Sequence, residues 1–239
     1  MATLVETLET RVAKLIAPLA GTPAGTDMSF DPQFERVKGE VEKLAALAGE
    51  TPNWVVIEET CSALLRDKTK DLRVAAWFTL AAAQRRGWEG FVEGALVLRG
   101  LARSLWDSMY PDAKRARARA NLFGWLAEQV GPVLEKRGVR AQDVEAVGAA
   151  STLLGELDAL LAEKLGPTAA GLGPALSVVR AATRAAAEAA PPPAPAAAAP
   201  APPAMQDATP AGAAGPASAP SAGLPPPLPP PRPPPLPSG

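Results

Sequence analysis

The chain has 239 residues, a formal net charge of −1, one cysteine and no histidine. Without histidine, Ser–His and Cys–His nucleophile systems are excluded, and the commonest metal ligand is missing. A single cysteine excludes an intramolecular disulfide and a thiolate metal cluster, which suits a reducing compartment.

Composition divides the chain. Twenty of its 28 prolines fall in residues 191–239, a stretch made almost entirely of Pro, Ala, Gly and Ser with single charges at Asp207 and Arg232. Such a segment cannot bury enough apolar surface to offset ordering entropy. It is expected to be a disordered, partly polyproline-II tail. The rest, about 190 residues, is enough for one compact domain or two small ones. Residues 61–120 carry 12 basic and 6 acidic groups, net +6, against −5 for residues 1–60 and −2 for residues 121–190. The middle third could present a basic face, although solvated helix faces are the plainer reading. The N-terminus "MATLVETLETRVAKL" lacks the apolar core of a signal peptide, and no run reaches the ~18 apolar residues of a membrane span. The expectation is a cytoplasmic protein with no direct membrane insertion.

Apolar spacing is helical almost throughout. Leu4, Leu8, Val12, Leu15, Ile16 and Leu19 form one stripe, predicting a helix over 2–20. "GTPAGTDMSFDP" is turn chemistry. Asp31 can cap the next helix, with Pro32 at its first position and Phe34, Val37, Val41, Leu44 and Leu47 along it. After "GETPN", capped by Asn53 or Thr51, a helix runs from Trp54 to about Asp67 with Ile57, Cys61, Leu64 and Leu65 inward. Another spans about Lys70 to Arg86, capped by Thr69 or Asp71 and ended by Gly87. The next runs from Trp88 to about Met109, where Tyr110-Pro111-Asp112 stops it. Lys114 to Arg137 follows, with Pro132 expected to kink or divide it. Helices over about 141–165 and 172–189, separated by "GPTAAGLGP", complete an all-α bundle of seven or eight helices. All tryptophans, phenylalanines and the tyrosine precede "RGVRAQ", so a division is expected near residues 137–142. The domains are then 1–137, a helical hairpin or start of a second helical region over 138–190, and the tail over 191–239.

Little in this pattern supports catalysis. Glu58-Glu59, Glu40 with Glu42, and Asp67 with Asp71 are carboxylate pairs, each expected on an exposed, charged face. No P-loop or dinucleotide fingerprint occurs. Cys61, at an apolar helix position, reads as a buried structural thiol. The basic run Lys114, Arg115, Arg117 and Arg119 could touch phosphates, and Arg115 and Arg119 would share a helix face. A nucleic-acid-associated helical protein using residues 114–119 is therefore the alternative function, although no aromatic platform accompanies the run. No enzyme activity, cofactor, metal or small-molecule substrate is expected.

The order of motifs resembles the N-terminal domain of the ImpA/TssA family of type VI secretion proteins. The turn "GTPAGTDMSFDPQFERV" precedes a helix opened by tryptophan, "PNWVVIEETCSALL". Then come Lys70-Asp71-Leu72-Arg73, the step "GWEGFVEGALVLRGL", the segment "LWDSMYPD" with Trp106, Tyr110 and Pro111, and "RARANLFGWLAEQ" with Arg115, Arg119 and Trp125. The resemblance covers about residues 12–130. It implies an all-α fold and a non-enzymatic, cytoplasmic assembly factor of a contractile injection machine. It also implies binding to baseplate, sheath, tube or membrane-complex components, with possible self-association and no expected nucleic-acid partner. Lys70, Asp71, Arg73, Trp106, Tyr110, Pro111, Arg115, Arg119 and Trp125 are the positions matching the pattern, as structural or partner-binding residues. Leu72, Trp106 and Trp125 are expected to pack the core, Pro111 to stop a helix, and Asp71 to pair with Arg73, Lys70 or an arginine of the 115–119 helix. Many family members carry a C-terminal ring-forming region. Here the proline-rich tail stands in that place, which reads as a shortened member or an incomplete chain. Within that tail, Pro227 to Arg232 has the spacing of a polyproline-II ligand, or of a stiff spacer.

Overall fold

The first helix begins where Thr3 and Glu6 can cap each other. The Thr3 hydroxyl accepts from the Glu6 amide, and the Glu6 carboxylate accepts from the Thr3 amide, opening α1 (Leu4–Ile16). The computed structural model describes residues 3–46, 50–168 and 171–189; the expected tail over 191–239 lies outside the described residues. Among the described residues there are eight α-helices and two isolated β-bridges.

Side-chain caps start the next three helices. Asp31 accepts from the Gln33 and Phe34 amides at the start of α2 (Pro32–Glu42), which has proline at its first position. A single 3-10 turn, Lys43–Ala45, extends it. Asn53 accepts from the Val56 amide and opens α3 (Trp54–Asp67). Asp71 accepts from the Arg73 amide and opens α4 (Leu72–Arg86). Gly87, at φ 64°, turns the chain from α4 into α5 (Trp88–Ser104). Then follow α6 (Ala116–Arg137), α7 (Val144–Leu165) and α8 (Gly173–Ala189).

Four expectations about boundaries change. α1, expected over 2–20, ends at Ile16, because Ala17 precedes Pro18 and turns extended (ψ 136°). α5 ends at Ser104, five residues before Met109, because Leu105 leaves the helical conformation (φ −130°, ψ 17°), and residues 105–109 form a separate turn closed by the Met109 amide on the Leu105 carbonyl. Pro111 therefore does not stop a helix; it follows a cis peptide bond in the loop beyond one. α6 is not divided at Pro132. That proline is exposed, so water can take the Glu128 carbonyl that its missing N–H leaves unpaired.

α4 is the centre of the bundle. From Leu72 to Ala83 only Arg73 reaches the surface, and α3, α5 and α6 pack around it. A helix apolar on all sides has to be enclosed in this way. Its contact with α5 is close because Gly90 and Gly94 face it. A Cβ at Gly90 would lie 2.0 Å from the Ala82 carbonyl oxygen, and one at Gly94 would lie 2.6 Å from Thr79 Cα. Residues 138–143 turn α6 into α7. Val147, Leu154 and Leu161 of α7 and Val179 and Ala182 of α8 join the same continuous apolar core as α5 and α6. Cys61 lies in that core, where burial pushes its thiol pKa well up.

Candidate docking surface

The charged stretch before α4 builds a buried node. Asp71 is fully buried and accepts from the Arg73 guanidinium at 2.6 Å from Nη2 and 3.0 Å from Nε, in addition to its cap bond. Lys70, also fully buried, aims Nζ at the carbonyls of Leu15 (2.9 Å) and Leu65, with Lys14 at 3.4 Å. These carbonyls end α1 and α3, so one ammonium serves the negative ends of two helices. Burial pulls the Lys70 pKa down to about 8, opposed by Asp67. The backbone is tied on both sides: the Lys70 amide donates to Ala24, the Leu72 amide to Tyr110, and the Tyr110 amide to Lys70. Gly25 sits against this strip at φ 70°, where a Cβ would meet the Lys68 carbonyl oxygen at 2.1 Å.

The node fixes an outward loop. Arg73 reaches past Asp71 to Asp27 (3.2 Å) and to the Ser29 hydroxyl (3.3 Å). Asp27 accepts from the Ser29 amide and hydroxyl; that hydroxyl bond leads the causes that lower its carboxyl pKa, with Arg73 adding to them. Lys68 bonds Asp31 at 3.0 Å on the far side. Between these anchors Phe30 stands 97% exposed.

Arg119 forms a second node. Fully buried, it donates to the carbonyls of Trp106 (2.7 Å), Met109 (2.7 Å) and Pro111 (2.8 Å), and its guanidinium lies 4.4 Å from the centre of the Trp106 ring. Burial lowers its pKa, opposed by Asp112 and Asp107. The expectation that Arg115 and Arg119 share a helix face is corrected here. Arg119 and Lys70 point inward, while Arg115 precedes the first residue of α6 and is exposed, so Arg115 and Arg119 do not share a face. The buried guanidinium holds the loop after α5 and offers nothing to a phosphate. Arg115 lines a cleft of about 470 Å³ with Arg73, Tyr110, Pro111 and Lys114.

Trp125 is half-buried on the wall of a groove of about 530 Å³ between α2 and α6. Phe34, Val41 and Leu44 form the α2 side, Leu122 and Trp125 the α6 side, and Trp77 of α4 also lines it. Arg73 lies 4.5 Å from the Phe34 ring centre, and Phe34 lies 4.9 Å from Trp77. Leu72 and Trp106 are buried in the core.

Of the carboxylates expected at the surface, Glu42, Glu59 and Asp67 are exposed and Glu40 is half-buried, while Glu58 and Asp71 are buried. Glu58 is buried because Arg85 (2.7 Å) and Arg86 close over it. Arg86 continues to Glu93 (2.7 Å), and Glu93 to Arg11 (3.4 Å), which links α3, α4, α5 and α1. Among the described residues no group of His, Cys, Asp and Glu is arranged to hold a metal, and no helix is long and apolar enough to cross a membrane.

The sequence model described as ImpA, N-terminal, type VI secretion system matches residues 16–128. Residues 16–128 are an ImpA N-terminal domain. The chain is 33% identical over 104 residues to the type VI secretion system component TssA1 of Pseudomonas aeruginosa, a match covering 41% of this chain and 30% of that protein. The chain thus spans under a third of that relative's length. The fold is similar to the solved N-terminal domain, including the conserved ImpA_N region, of the TssA component from Burkholderia cenocepacia. That comparison has a TM-score of 0.64 and 21% identity, and covers 74% of this chain and 92% of the solved one.

Lys70, Asp71, Arg73, Arg119, Phe30 and the groove's aromatic side chains all fall within residues 16–128. Lys70, Asp71, Arg73, Tyr110, Pro111 and Arg115 gather around one strip. Trp106 and Arg119 pair behind it, and Trp125 stands apart on the groove wall. Sequence reasoning missed Phe30 and its anchors Asp27 and Ser29. The available clue was an aromatic residue set between two aspartates in a turn.

Proposed function

We propose that this chain is a non-enzymatic assembly factor of a type VI secretion system, working in the cytoplasm by binding machine components. Those components are baseplate, sheath, tube or membrane-complex proteins, and the ImpA domain is the module that holds them. The observation that carries this reading is Phe30. A fully exposed aromatic is an anchor when its loop is held rigid before binding, because little ordering entropy remains to be lost. Asp27, Ser29, Arg73 and Lys68 provide that rigidity. The family-pattern residues around Lys70 to Arg73 then act from beneath, as organisers of the surface rather than as its contacts.

The test compares the full chain with its Phe30→Ala variant for binding to purified baseplate, sheath and tube proteins, read by surface plasmon resonance. One component is expected to bind, and Phe30→Ala should weaken it about tenfold or more at unchanged melting temperature. Equal binding by both proteins would remove Phe30 from the interface, and no binding to any component would remove the assembly reading.

A further inference from the structure

A polar cleft of about 470 Å³ opens beside Phe30. Asp27 and Ser29 of the Phe30 loop line it, with Arg73 of α4 and with Asp112, Lys114 and Arg115 from the segment before α6. Ser29 is the chain neighbour of Phe30, so a partner seated on that ring also lies next to the cleft.

The charges of the cleft differ in how they are engaged. Arg73 is held by Asp71 and Asp27, and Asp27 also accepts from the Ser29 hydroxyl. Asp112 accepts from the Lys114 amide at 2.8 Å. The Lys114 ammonium and the Arg115 guanidinium are exposed, and neither meets a carboxylate within 4.0 Å among the described residues. They also stand where cations are costly. α6 begins directly after Arg115 with no side-chain cap and no acid in its first turn, and Arg117 adds another exposed cation there. The amide end of a helix carries partial positive charge and favours an acid beside it. Asp31 and Asp71 fill that role at α2 and α4. Arg119, buried among carbonyls, adds its charge from behind.

This balance calls for an anion supplied from outside the chain. A nucleic-acid strand fits poorly, because duplex DNA brings a phosphate every ~1.7 Å. Asp27 and Asp112 line the same cleft and would repel the phosphates on either side. A single carboxylate carries no such flanking charge, and an arginine can take it through two N–H groups.

We propose that the protein partner seated on Phe30 places an Asp or Glu side chain in this cleft, where Lys114 and Arg115 take it. The proposal rests on the docking role of Phe30 and adds the chemistry of the partner: an apolar pocket with a carboxylate at its edge. The two contacts act at different stages. The aromatic anchor holds the complex once it has formed, while exposed charges at the rim speed the encounter and make it sensitive to salt.

The test uses the full-length chain over immobilised baseplate, sheath and tube proteins, with surface plasmon resonance at about 50 and about 500 mM salt, which bracket strong and weak screening. For the component that binds, wild-type association should slow about tenfold at the higher salt. Lys114→Glu with Arg115→Glu should slow it about tenfold at the lower salt and remove most of the salt dependence. Phe30→Ala should instead speed dissociation and leave the salt dependence in place. Acids at the start of α6 suit its dipole, so the double variant should melt no lower than the wild type. Arg180→Glu with Arg184→Glu makes the same change in net charge at exposed positions of α8 and should bind like the wild type. A wild type that binds no component removes the assembly reading and this proposal together. Binding whose rate and salt dependence survive Lys114→Glu with Arg115→Glu overturns this proposal alone, as does an equal loss in the α8 variant. Random-sequence duplex DNA retained more tightly than any component, and released by Lys114→Glu with Arg115→Glu, would assign the cleft to phosphates and overturn it as well.

Discussion

Asp71 and Arg73, two residues apart, hold each other at the first turn of α4. The carboxylate takes both the Arg73 amide and its guanidinium, while the guanidinium spans from a fully buried acid to the exposed loop at Asp27 and Ser29. Replacing Asp71 with Ala removes a helix cap and leaves Arg73 without its buried partner. The expected loss is ~3 kcal/mol in urea unfolding, of which about 1 kcal/mol is the cap. Asp71→Asn keeps the cap acceptor and should lose less. If Asp71→Ala unfolds at the wild-type midpoint, the buried pair contributes nothing.

The helical content was legible because the spacing repeats at 3.6 residues and the caps at Asp31, Asn53 and Asp71 are local. The early end of α5 was not. It depends on Arg119, ten residues beyond Met109, turning inward to collect three carbonyls. An arginine in an Arg-Ala repeat reads as solvated until its partners are known. Glu58 hides in the same way, since it reads as one of a pair with the exposed Glu59 while its partners Arg85 and Arg86 lie a helix away. The motif positions were legible as a set, but the sequence did not separate those pointing inward from those, such as Arg115 and Trp125, that reach the surface.

Arg119→Lys should show how much the loop after α5 depends on the guanidinium fork. A lysine retains the charge but cannot span three diverging carbonyls or lie flat on Trp106. A loss of ~2–4 kcal/mol is expected from unsatisfied buried carbonyls. Limited proteolysis should also begin between residues 105 and 115. Wild-type stability in the variant would mean that water replaces the lost donors.

Lys70 predicts a pH dependence with a definite sign. Its folded pKa is lowered to about 8, against 10.5 for an ordinary lysine. Between these values the unfolded chain binds more protons than the folded one, so this residue's contribution to stability rises with pH. Below pH 8 both forms are charged and the contribution is flat at its lowest. Lys70→Met removes the titration, and also strands the carbonyls of Leu15 and Leu65. The variant should be less stable throughout, and the gap to the wild type in urea midpoint should widen from pH 7 to pH 9.5. A gap that narrows over that interval would mean the ammonium is better solvated by its carbonyls than by water.

Gly90→Ala tests the close approach that seats α4 at the centre. In an exposed helix this change would add stability, because alanine is the better helix former by ~1 kcal/mol. Here the new methyl would stand 2.0 Å from the Ala82 carbonyl oxygen, which is backbone and cannot swing aside. α5 would have to move away from α4, opening the core at Phe91 and Ala95. The expected outcome is a net loss of ~1–3 kcal/mol from overpacking. Gly148→Ala, in α7 with open space around it, should show the ordinary gain and serves as the internal comparison. If both substitutions stabilise the chain, α4 and α5 are not held at the separation seen here, and the groove floored by Trp77 would lose its fixed shape as well.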